Sequence, residues 1–282
     1  MLNFAQRNLR IYFRQKAAVF ASLLGVFIIV VLYALFLGDA YSFEGAVNPK
    51  HLMDTWMIAG IIAITPFTTS IGALGAMVDD KVDGNLGDFY SSPVRRVKIV
   101  GGYVLSGLSV GFILSVAAFV LGEAYIVMRG GELLSLFNML CMLGAILLSV
   151  LLSCTMGFLI VCFINSKNAY MIVCTVIGSV TGFLTGVYVP VGQMGENVQW
   201  LVKLFPVTHT SVIIRRVMCS QAIEENFAGM DEYAAEYSRM MGISLEFGDW
   251  VMPIWVHCVI VTVLAVIFFA LATLRVSKEK RR

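Results

Sequence analysis

Long apolar runs dominate this chain, and their length limits its fold more than any other feature. Six of them, at about residues 17–37, 57–77, 100–128, 133–164, 169–189 and 251–274, each supply the roughly 20 residues that an α-helix needs to cross about 30 Å of hydrocarbon. No water-soluble domain of 282 residues needs 59% hydrophobic and 13% charged residues, or a mean hydropathy of +0.85, to fill its core. The sequence therefore predicts an all-α membrane protein with six transmembrane helices in a single domain over 1–282. The third and fourth runs exceed the span length, so they tilt, kink or protrude. The first sixteen residues are too polar and too long for the n-region of a cleaved signal, so 17–37 is kept as a span.

With the N-terminus inside, 14 of the 20 Lys and Arg fall on cytoplasmic segments. Six crossings put both termini on that side, consistent with a multi-pass protein of the cell membrane. A net charge of +2 gives no ground for nucleic-acid binding, and the tail RVSKEKRR after Leu274 reads as a basic flank that stops transfer. The six cysteines show no CxxC spacing and all but Cys219 lie in apolar runs, as small buried hydrophobes do. No set of ligands at metal spacing accompanies His209, so no metal is expected. Residues 1–16 carry Arg7, Arg10, Arg14 and Lys16 without an acid, beside Leu2, Phe4, Leu9, Ile11, Tyr12 and Phe13. Either an interfacial helix on the inner leaflet or a basic flank that fixes topology fits that composition.

One polar stretch, VDDKVDGNLGDFYSSPVRRVKIVGG at 78–102, separates the second and third spans. Asp79 and Asp80 are placed to cap a short helix that Ser91, Ser92 and Pro93 stop about three turns later. On it Val82, Leu86, Phe89 and Tyr90 fall at offsets of 4, 7 and 8 and share one face. A plain connection has no use for an aromatic face in water, so a docking partner is expected. An acidic pair, a glycine, an apolar face, Ser-Ser-Pro and an Arg pair before the next span resemble the first cytoplasmic loop of ABC-2 type transporter permeases. Asp80, Lys81, Gly84, Phe89, Tyr90, Ser92, Pro93 and Arg96 match that pattern, whereas the family often has Glu where this chain has Asp79 and Asp80. The resemblance implies that 79–96 is a coupling helix and its exit, with Asp79, Asp80, Lys81, Gly84, Leu86, Phe89, Tyr90, Ser92, Pro93 and Arg96 docking on a separate ATPase. It also implies that 1–16 is the elbow helix that precedes the first span.

The segment 190–250 is too long for a turn. Its first half contains VQWLVKLFPVTHTSVIIRRVM, apolar but broken by Lys203, Pro206, His209, Arg215 and Arg216, so a re-entrant or interfacial helix pair is expected. Its acidic second half, 221–249, predicts a small amphipathic external cap. The hairpin again resembles ABC-2 permeases, with Pro206, Thr208, Arg215 and Arg216 matching, and the resemblance implies an outer gate. It further implies that the second and fifth spans border the substrate path at a dimer interface, near Phe67, Thr68, Thr69, Phe183 and Tyr188. Gly107 with Gly111, and Gly178, Gly182 and Gly186, stand four apart, as in close-packed membrane helices. They serve either packing within the chain or a dimer seam. Glu123, in the outer part of the third span, is either functional or reaches the headgroups.

There is no GxxxxGK[ST] and no Ser-His-Asp, HExxH or CxxC set. The chain is thus not expected to be an enzyme or to hold a cofactor. The resemblance implies that two ATPase subunits carry ATP and Mg, and that the chain pairs with a second copy or a related permease in membrane lipid. It implies export of an amphipathic substrate (drug, antibiotic, peptide or lipid-like). An ion-coupled secondary transporter, or a non-transporting regulatory or immunity subunit, fits the same topology.

Overall fold

The structure is a computed structural model that describes residues 1–16, 19–20, 45–91, 93–94, 96–248 and 250–278. The expected first span lies almost wholly outside the described residues, as do Ser92 and the side chains of Tyr90 and Arg96. The chain opens with α1 (Leu2–Arg14), whose buried residues Ala5, Asn8 and Tyr12 recur at helical spacing on one side. Asn3, Arg7, Arg10 and Arg14 fall on the opposite side.

The bundle is built around α2 (Pro49–Val82). Its apolar character continues all round the helix, and 89% of its span residues are buried by neighbours. It begins eight residues before the apolar run, because Asn48 accepts a hydrogen bond from the His51 N–H at 3.2 Å and Pro49 occupies the first turn. At 34 residues it is roughly 50 Å long and extends beyond the hydrocarbon. After it come α3 (Asn85–Ser91), α4 (Arg96–Met128), α5 (Leu136–Val161) and α6 (Lys167–Leu184). Ser135 and Ser166 cap α5 and α6 by accepting from the third N–H of each helix.

The region 190–250 forms α7 (Glu196–Leu204), α8 (Pro206–Asn226) and α9 (Asp231–Met240). A two-residue hairpin follows, β1 (Glu246–Phe247) against β2 (Trp250–Val251), with Phe247 facing Trp250 in antiparallel register. This strand pair is a small departure from the all-α expectation. The last helix is α10 (Ile254–Lys278). Five of the described helices, α2, α4, α5, α6 and α10, are long and apolar enough to cross a membrane.

The main core joins α2, α4, α5 and α8 with one side of α10 and α9, from Leu52 and Trp56 through Ile146 and Met218 to Tyr237. By contrast only 11% of the span residues of α6 and of α10 are buried, so these two helices stand at the rim. The glycine ridges divide accordingly. A Cβ on Gly107 would meet Cys154 at 2.9 Å, and one on Gly111 would collide with Ser70, so that ridge packs within the chain. Gly178 has open space around it among the described residues.

Candidate functional site

The loop after α2 is organised by one buried carboxylate. Asp80 is 4% exposed, a position that a charge occupies only when it is paired and hydrogen-bonded. Arg7 of α1 grips it with both terminal nitrogens, at 2.8 and 2.9 Å. The Tyr103 hydroxyl of α4 donates to it at 2.6 Å, and the Asn85 amide of α3 donates at 3.2 Å. Four elements therefore meet at a single side chain. Hydrogen bonding to Asp80 raises the pKa of the Arg7 guanidinium, so this pair stays ionised. Phe4 and Phe89 both lie against Arg7, with its carbon 5.4 and 5.0 Å from their ring centres, and Phe4 meets Phe89 and Tyr103 edge to face.

The chemistry explains the local fold. Asp79 and Asp80 do not begin the short helix as the sequence suggested; both stand in the last turn of α2, which closes when the Asp83 N–H bonds the Asp79 carbonyl at 2.8 Å. Gly84, at φ +83°, makes the turn that an L side chain would resist, and α3 starts directly after it, two turns long instead of three. Leu86 and Phe89 are turned inward, where they pack with Phe4 against the α2 and α4 core. Val82, expected on their face, is 43% exposed. Lys81 is partly buried, and Asp79 with Asp83 bridges to Lys167 at 3.6 and 2.8 Å, tying the start of α6 to the end of α2. Gly84, Gly87, Asp88, Ser91 and Pro93 stay exposed. Arg7, Phe4, Asn85 and Tyr103 carried no sequence signal as partners of the loop, since Arg7 lies 73 residues from Asp80.

α1 lies flat on α4 because glycines leave room: a Cβ on Gly102 would stand 2.7 Å from the Phe4 ring. Gly102→Leu should therefore lift α1 from its seat and lower the melting temperature of the detergent-solubilised protein by several degrees, corresponding to roughly 2 kcal/mol. An unchanged melting curve would mean that α1 is held elsewhere.

At the far end of α2 a second constellation forms. Arg215 of α8 is 1% exposed and donates at 2.8 Å to the carbonyls of Thr185 and of Gly186, just past the end of α6. A cation suits this place, since the last carbonyls of a helix are orphaned and carry partial negative charge. Gly186 adopts φ +69°, and the Val187 N–H returns to the Gly182 carbonyl, so the helix ends in a glycine-terminated motif. Thr208 donates to the Leu184 carbonyl at 2.9 Å, and Arg215 lies 5.1 Å over the Trp56 ring of α2. Trp56 in turn donates to the Met241 carbonyl at 2.7 Å. Arg216 reaches the carbonyls of Ile243 and Met252, at 3.1 and 2.7 Å, fastening the cap to the start of α10. Pro206 opens α8 at its first position.

The residues named for a substrate path do not converge inside one chain. Phe67 and Thr69 are buried in the bundle, at 1% and 0% exposure. The Thr65 and Thr69 hydroxyls bond back to the carbonyls four residues earlier, as in a proline-interrupted membrane helix. Thr68 is only partly covered, while Phe183 and Tyr188 are exposed and stack edge to face at 5.1 Å. Glu123 accepts a hydrogen bond from the Leu134 N–H at 3.1 Å, and Asp54, also buried, is held by Tyr125 and Arg129 at 3.3 Å. Among the described residues no group of three His, Cys, Asp or Glu could hold a metal.

Five apolar helices, four of them around the buried α2 and with polar clamps at both ends of that axis, define a multi-pass α-helical membrane protein. The model of the ABC-2 type transporter family matches residues 2–219, and the chain belongs to this family. It is thus the membrane-spanning permease part of an ABC transporter, a non-ATPase component of a family that normally works with an ABC ATPase. No curated protein matches the chain.

Proposed function

We propose that this permease exports an amphipathic substrate, driven by two ATPase subunits that dock on the α3 loop, and that it works as a pair with a second copy or a related permease. The observation that carries this reading is the two-sidedness of α3: Leu86 and Phe89 are fastened inward, while Gly84, Gly87, Asp88, Ser91 and Pro93 face out as a ridge. In this arrangement both chain ends are cytoplasmic in the cell membrane, and ATP and Mg belong to the partner. Asp79, Lys81, Tyr90, Ser92 and Arg96 flank the same ridge in sequence, whereas Asp80 and Phe89 act through Arg7 and Phe4 as the mechanical base.

A push on α3 reaches α2 through Asp80 and travels along one continuous helix, past Pro66, to Trp56, which stacks on Arg215. The link is geometric, a helix fastened at both ends. Pro206, Thr208, Arg215 and Arg216 then serve as the outer gate. Nucleotide binding shifts the population from inward-open to outward-open. Exposed Phe183 and Tyr188, with Thr68, are the path residues best placed to meet substrate or the second chain.

Gly87→Trp tests the docking surface, because nothing among the described residues lies within 4 Å of where its side chain would begin. The expected result is a melting temperature unchanged within about 2 °C and loss of most of the ATPase that co-purifies with wild type. Full retention of the ATPase would place docking elsewhere.

A further inference from the structure

Two cavities meet under Met1. One is an apolar groove of about 350 Å³ between α4 and α10, walled by Val104, Leu108, Phe269 and Thr273 and by the Met1 side chain. It opens outward, since Val97 and Phe269 on its rim are 81% and 44% exposed. The other, about 510 Å³, lies at the polar end of the same groove, between α1 and the start of α4, and contains Asn3, Arg7 and Lys98 together with Met1. Phe4, Pro93 and Val94 complete its wall, and since Arg7 is already balanced by Asp80, the exposed ammonium of Lys98 and the amide of Asn3 are the polar groups it offers a ligand. From Asn3 and Arg7 the exposed Arg10 and Arg14 continue along the same side of α1, with no acid in the helix.

We infer that this pair of cavities is a site for one anionic phospholipid of the leaflet on which α1 lies. An acyl chain fills the α4 and α10 groove, and the phosphate headgroup sits at Lys98 and Asn3 beside the basic side of α1. Charge decides the occupant. An apolar groove alone accepts any lipid tail, but a groove that ends at an exposed lysine, beside a helix that carries no acid, selects a negative headgroup. Val19 packs with Tyr12 against Val110 and Leu114, on a different side of α4 from Val104 and Leu108. A bound lipid would press Met1 and α1 onto α4 and so stiffen the Arg7 to Asp80 grip. The leaflet is the cytoplasmic one if the proposed orientation holds; the site itself does not depend on export.

The test is native mass spectrometry of the delipidated full chain, titrated with phosphatidylglycerol or phosphatidylcholine of the same acyl chains. Phosphatidylglycerol should bind at least about fivefold more tightly, the factor expected for one basic residue near an anionic headgroup. Lys98→Glu should remove that preference, and Thr273→Trp, which fills the groove, should weaken both lipids. Both variants should match the melting temperature of lipid-free wild type. Equal binding of the two lipids to wild type, or an undiminished preference in Lys98→Glu, would overturn the assignment. Wild type that keeps the lipid preference but co-purifies with no ATPase would instead count against the proposed function alone.

Discussion

Arg215→Leu should lower stability by about 4 kcal/mol and remove most of the folded protein from a membrane extract. The side chain is enclosed, and its two charge-assisted hydrogen bonds are the partners supplied to the Thr185 and Gly186 carbonyls. Leucine leaves the Gly186 carbonyl buried without a donor and the Thr185 carbonyl with only the Ser211 hydroxyl at 3.4 Å, at about 1–3 kcal/mol for an unpartnered group, and forfeits the contact with Trp56. Arg215→Lys keeps the charge but not the planar fork that reaches two oxygens together, so it should recover only part of the loss. Size-exclusion chromatography and thermal unfolding in detergent read both variants. A leucine variant that melts like wild type would show that the end of α6 is secured without this clamp. If the lysine variant folds and transports normally at a normal ATPase rate, the outer-gate role fails.

The second large effect is expected at the other end of α2. Arg7→Ala strands the Asp80 carboxylate with only Tyr103 and Asn85, in a site where water scarcely reaches. The expected cost is about 2–3 kcal/mol, below that of a fully buried pair because the Arg7 side chain is 34% exposed. The functional consequence should exceed the stability loss. ATPase activity of the assembled complex should persist while substrate movement falls at least about tenfold, because α3 is then tied to Asp80 by the Asn85 contact alone, without the α1 base that Arg7 fastens beneath it. Arg7→Ala combined with Asp80→Asn removes the unpaired charge and should restore most of the stability but not the coupling. A single Arg7→Ala variant with tight coupling would show that the load passes through Phe89 or the loop backbone instead.

Much of this architecture was legible in the chain because lipid imposes simple demands. Five of the six expected spans coincide with described helices; the first lies outside them. Their ends shifted for local reasons: Asn48 and Pro49 start α2 early, and the helix carries on through Asp79 and Asp80 because nothing before Gly84 stops it. The short loop helix was expected from its periodicity, yet the side it presents was read the wrong way for Leu86 and Phe89. An apolar face at helical spacing says that something covers it, and here the cover is Phe4 of the chain's own first helix. Likewise Phe67 and Thr69 proved interior, while Phe183 and Tyr188 are exposed.

By itself, then, the sequence determined what depends on transfer of each segment between water and hydrocarbon: the spans, the basic flanks, the polar loop at 78–102 and the family. These are local sums of side-chain free energies and need no knowledge of neighbours. Only the tertiary structure decided which charges are paired and which faces are covered. Arg7 with Asp80, and Arg215 with the end of α6, join residues 73 and about 30 positions apart. A buried charge is tolerated only where distant elements bring it the right number of donors and acceptors, and that condition belongs to the packing, not to any stretch of the chain.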